Sequence, residues 1–115
     1  MYITINSNKL EVTLEKNSAV DALVEKLKNG DITYTANDYG GFEKVGALGF
    51  SLPTENTQMT TQAGDVILYS GNQLVLFYGS NTWSYTRIGK IDGYSSSQLK
   101  SVFGKGSAQV IISLK

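Results

Sequence analysis

The residues of this chain best suited to chemistry are three large aromatics and two charged side chains: Tyr39, Glu43, Trp83, Tyr85 and Arg87. Arg87 is the only arginine, and Trp83 and Tyr85 precede it at alternate positions. A guanidinium among such rings can stand as a cationic group at the edge of an aromatic cleft. It can equally stack on a tyrosine or pair with an acid at the surface. Glu43 follows a Gly-Gly turn and Phe42. A carboxylate there can serve as a general base, accept a hydrogen bond from a ligand, or form a partly buried ion pair with Arg87 or Lys44. Tyr39, Trp83 and Tyr85 fall in or beside loops, where large aromatics are not needed to build a core. Together they offer a platform for a peptide, a sugar or another small molecule, or they fold inward as satellite core. Asp38 and Asp65 adjoin glycine turns and read as turn chemistry.

Composition removes most other chemistries. The chain has no cysteine and no histidine, so disulfides, thiolate catalysis, a Ser-His-Asp triad and Cys/His zinc sites are impossible. A metal would need oxygen ligands alone, which favours calcium or magnesium; no cofactor and no metal site is expected. Gly104-Lys105-Gly106-Ser107 lacks phosphate-loop spacing and follows a helix rather than a strand. The ten acids select no glycosidase-type pair by their spacing. Ten basic residues balance those ten acids, and the lysines form no stripe, so no nucleic-acid partner is expected. Met1 leads directly into Tyr2-Ile3-Thr4-Ile5 without signal-peptide patterning, and no run approaches the ~20 apolar residues that span a bilayer. As written the chain is expected to be cytoplasmic, or exported or lipid-anchored if a leader has been removed.

These residues need elements to hold them. A chain of 115 residues fits one domain, 1–115, and buries roughly 65% of its unfolded surface. The centre is Gly64–Tyr78, where two runs rich in β-branched and aromatic residues flank a Gly-Asn turn; the pattern predicts a hairpin covered on both faces. Tyr2–Leu14 alternates around Asn6-Ser7-Asn8 and predicts an opening hairpin. Ser18 as cap, Asp21 three residues on, and Val20, Leu23, Val24 and Leu27 on one face predict a helix over Ser18–Asn29. Ile32–Ala36 and, more weakly, Phe42–Leu48 read as strands, and the polar run Thr54–Gln62 reads as a loop. Trp83–Ile91 forms one or two short strands, Ser95–Phe103 a second helix, and Val110–Leu114 the last strand. About eight strands and two short helices are too few helices for a doubly wound sheet. The expected class is mainly β, a single closed barrel with a helix near each open end.

The order and spacing of these signals resemble the small bacterial cyclophilin-like proteins, a family of unassigned function with an eight-stranded barrel and two helices. The matching pieces are the opening hairpin, the helix from Ser18, Asn37–Lys44, Ser51-Leu52-Pro53, Gly64–Tyr69, Leu74–Tyr78 and Tyr85–Ile91. A departure is Leu27-Lys28-Asn29-Gly30, where relatives often carry Leu-Pro. A more distant resemblance is to the proline isomerases themselves: Ile88-Gly89-Lys90-Ile91, then Gly93 and a helix, is similar to their Phe-Gly-x-Val-x-x-Gly segment. Their Phe-His-Arg segment has no counterpart, and Glu43 falls where its arginine would be expected. The resemblance therefore implies the cyclophilin-like fold without the catalytic segment. It favours a non-catalytic binding or accessory module whose pocket is lined by Tyr39, Glu43, Trp83, Tyr85 and Arg87. The alternative it implies is a weak peptidyl-prolyl isomerase, with Arg87 as the donor at the imide nitrogen.

Overall fold

In the computed structural model, which describes residues 1–115, the opening run forms β1 (Tyr2–Ile5), β2 (Asn8–Glu11) and β3 (Thr13–Leu14). Asn6 and Ser7 turn the chain with φ of 49° and 65°, a conformation that short polar side chains tolerate. The first helix, α1, covers Ser18–Leu27. Its cap is Asn17 rather than Ser18: Asn17 Oδ1 accepts the Val20 amide at 2.9 Å. Ser18 instead donates its amide and hydroxyl to Glu55 at 2.7 and 2.8 Å. Val20, Leu23 and Leu27 carry the buried stripe.

Next come β4 (Ile32–Tyr39) and β5 (Glu43–Ala47), which cross closely at Gly46. A Cβ at Gly46 would lie 1.9 Å from the Thr35 carbonyl oxygen, so only glycine fits. The polar run expected as a loop contains a short strand, β6 (Thr57–Thr60). It pairs with one neighbour only and buries little, so it has no apolar alternation to reveal it. The central hairpin is β7 (Asp65–Tyr69) and β8 (Gln73–Phe77), turned by Ser70 and Gly71 with φ of 54° and 75°. A single strand, β9 (Thr82–Lys90), follows, then α2 (Ser96–Phe103) and β10 (Ala108–Ser113). Ser95 precedes α2 as its cap, in a reciprocal capping box with Gln98.

The hydrogen-bonded order is β2-β1-β10-β4-β5-β8-β7-β9-β3, all neighbours antiparallel. Only Val12 separates β2 from β3. Treated as one kinked strand, they close the ring, which then has eight staves: β2/β3, β1, β10, β4, β5, β8, β7 and β9. The strand directions put α1, between β3 and β4, at one mouth and α2, between β9 and β10, at the other. Apolar side chains from both helices join the barrel core.

The hairpin is covered on both faces. Val66, Leu68, Leu74 and Leu76 face the main core, while Ile67, Val75 and Phe77 join Tyr85 in a second cluster outside the wall. That outer cluster is the floor on which the candidate site is built. No helix is long and apolar enough to cross a membrane.

Candidate functional site

The second cluster exists because β9 changes partners. Its later residues pair with β7, Thr86 opposite Leu68 and Arg87 opposite Ile67. Its first four, Thr82–Tyr85, pair with the external β6. Leaving the wall there, β9 opens a cleft of about 810 Å³ between itself and the outer face of β5 and β8. Alternation along β9 sends Trp83 and Tyr85 to that side. Five rings run in continuous contact through the site. Tyr39 meets Phe42 edge-on at 6.0 Å, and Phe42 stacks on Phe77 at 6.2 Å. Phe77 meets Tyr85 at 5.7 Å, and Tyr85 meets Tyr69 at 6.0 Å. Tyr85 and Phe77 are buried, whereas Tyr39 and Trp83 stand at the cleft with 64% and 56% of their surface open.

Glu43 opens into this cleft from the start of β5, held between Tyr39 of β4 and Phe77 of β8 in register. It is only 6% exposed. Its carboxylate has neither a hydrogen-bond nor an ion-pair partner within the chain. Burial without a partner disfavours the charged form and pushes its pKa from 4.5 up to about 7. The Tyr85 hydroxyl accepts a hydrogen bond from Asn81 Nδ2 at 2.8 Å. Burial raises its pKa, the Asn81 donor pulls it back, and the nearby Glu43, Tyr69 and Tyr39 raise it further. The Asn81 loop is itself pinned, because the Asn81 amide donates to Thr61 Oγ1 at 2.9 Å.

Four of the five sequence-predicted residues, Tyr39, Glu43, Trp83 and Tyr85, therefore line one cleft. Arg87 does not join them. One further step along β9, its guanidinium donates to Asp65 Oδ1 at 3.0 Å and reaches Met59 Sδ at 3.5 Å. It borders a separate polar depression with Glu15, Asn17 and Glu55. No arginine lines the aromatic cleft. Asp65 does close its turn, accepting the Gln62 amide at 2.8 Å, but it is also the partner of Arg87.

Lys44, next to Glu43, points the opposite way. It is fully buried in the barrel, where Nζ meets Asp38 Oδ1 at 3.1 Å and donates to the Gly106 carbonyl. Neither of the ion pairs available to Glu43 is thus made. Asp38 is correspondingly more than a turn residue: Tyr78 Oη and the Gly106 amide also donate to it, at 3.1 and 2.8 Å. Burial opposes its ionisation, but the Gly106 amide, Lys44 and Tyr78 together lower its pKa.

Phe42, Tyr69, Gln73 and Asn81 also line the cleft, and residue-by-residue reading did not single them out. A period-two reading back from Phe77 along β8 and across the turn would have found Gln73 and Tyr69, which share the hairpin's outer face. Asn81 carries no such signal. A family model described as cyclophilin-like matches residues 3–114. No curated protein and no solved structure matches the chain.

Proposed function

The chain belongs to the cyclophilin-like family, and from that footing we propose that it is a non-catalytic binding or accessory module whose outer cleft takes a small molecule or a short peptide segment. The observation that supports it is the exposure of Tyr39 and Trp83 on either side of a floor already packed by Phe42, Phe77 and Tyr85. Neither of the two large rings is needed by the barrel core. The strands fix where the two side chains leave the backbone.

The test is a screen of short peptides and small molecules followed by amide chemical shifts and by Trp83 emission. Shifts confined to another surface would count against the cleft. Trp83→Ala should abolish binding while lowering stability by less than ~1 kcal/mol, as for an open side chain. A loss of roughly 3–5 kcal/mol, the scale of a core aromatic deletion, would make Trp83 structural. A protease-coupled proline-isomerisation assay should give no rate above the uncatalysed one. Acceleration that Arg87→Ala removes would revive the isomerase reading.

A further inference from the structure

We propose that the ligand of this cleft is a small organic amine in its protonated form, its ammonium head on the Glu43 carboxylate and its apolar body between Tyr39 and Trp83. This rests on reading the cleft as a binding site and names the chemical class that it takes.

Glu43 is the only carboxylate among the lining residues, and no lysine or arginine lines the cleft with it. Both cations that could have neutralised it are committed elsewhere, Lys44 to Asp38 inside the barrel and Arg87 to Asp65 along β9. A carboxylate has acceptor sites for about four hydrogen bonds, and at 6% exposure Glu43 fills none of them from within the chain. Its unpaired oxygens keep contact with cleft solvent, so the cost of holding the charge there is partial, and a cation delivered from solution relieves it. A bound anion would be repelled. A neutral body would strip the last water from the carboxylate and give nothing back.

The walls favour the same charge. Aromatic faces attract ammonium groups through their quadrupoles, and Tyr39, Phe42, Tyr69, Trp83 and Tyr85 surround the acid. The titratable groups within its field are Tyr85 and Tyr78, and the phenols of Tyr39 and Tyr69 line the same cleft. Burial near neutral pH keeps Glu43 poised to ionise when a cation arrives. A volume of about 810 Å³ is the scale of a small-molecule pocket rather than of a long peptide groove.

Benzylammonium and benzyl alcohol, nearly equal in size and different in charge, form the test pair. Titrations at pH 8 are followed by Trp83 emission and amide shifts. Benzylammonium should bind roughly tenfold or more tightly than the alcohol, the scale of one charged hydrogen bond. Glu43→Gln should erase the preference and leave the two probes at similar affinity. For the wild type, benzylammonium's advantage over the alcohol should shrink as pH drops from about 8 to 5 and Glu43 takes up its proton. That series decides the matter if the variant does not fold. Equal affinity for the two probes, or a preference that survives Glu43→Gln, overturns the amine while leaving the cleft a binding site. Silence in the cleft from both probes and from the wider screen overturns both readings. Tighter binding of Nα-acetyl-lysine amide than of benzylammonium overturns the small-molecule source.

Discussion

Glu43 is the residue on which the electrostatics of the cleft turn, and the proposed amine ligand depends on it. Its pKa lies at about 7 in the fold against an ordinary 4.5. Between those values the unfolded chain releases the proton and the folded chain keeps it. Stability from this group is therefore complete below about pH 4.5 and is lost as pH rises to about 7. The loss is at most on the order of 3 kcal/mol, and less where cleft water reaches the carboxylate. Glu43→Gln should remove this dependence, so the variant should gain on the wild type between urea melts at pH 5 and pH 8. Parallel pH profiles for the two proteins would mean that Glu43 is better solvated than its burial implies.

At the scale of the element, β5 divides its work by alternation: Glu43 faces the cleft and Lys44 faces the interior. Lys44 ties β5 to Asp38 of β4 and to the Gly104–Ser107 loop after α2. A buried ion pair offsets its own desolvation poorly, whereas breaking it leaves a charge stranded. Asp38→Asn should accordingly lower stability by about 2–3 kcal/mol. That is below the full penalty for a stranded charge, because the Asp38 side chain is 34% exposed and water screens it. Lys44→Met, which keeps the volume and removes the charge, should stay within roughly 1 kcal/mol of wild type. The opposite ranking in thermal or urea unfolding would make the pair a net source of stability.

Over the whole molecule, the weakest-looking join is the seam where β3 meets β9. It is short, with Thr13 opposite Lys90 and Leu14 opposite Gly89, and the Glu15 amide donates to the Ile88 carbonyl at 2.9 Å just beyond it. A Cβ at Gly89 would sit 2.4 Å from the Thr13 carbonyl oxygen, a backbone atom that cannot swing away. Gly89→Ala should therefore lower stability by roughly 1–3 kcal/mol or more. The Glu15 amide should lose its hydrogen-exchange protection before the β7–β8 hairpin does. Native protection at Glu15 in a folded variant would show that the ring does not depend on this seam.

Local pattern alone determined much of this molecule. Two-faced burial of Gly64–Tyr78 follows from apolar residues on both strand faces, and the two helices follow from their stripes and caps. The absence of Cys and His excluded whole classes of chemistry before any coordinate was known. The cap of α1 shifted by one residue: Asn17 accepts the Val20 amide three positions on, while Ser18 is engaged by Glu55 from a distant loop. Tertiary structure decided what spacing could not. Trp83, Tyr85 and Arg87 share one face of β9, yet the change of partner at Thr86 puts two in the cleft and leaves the third with Asp65. Glu43 had two basic partners within plausible reach, and only the sheet register and the commitments of Lys44 and Arg87 left it alone. A charge without a partner is a property of everything packed around it, so no stretch of sequence carries it.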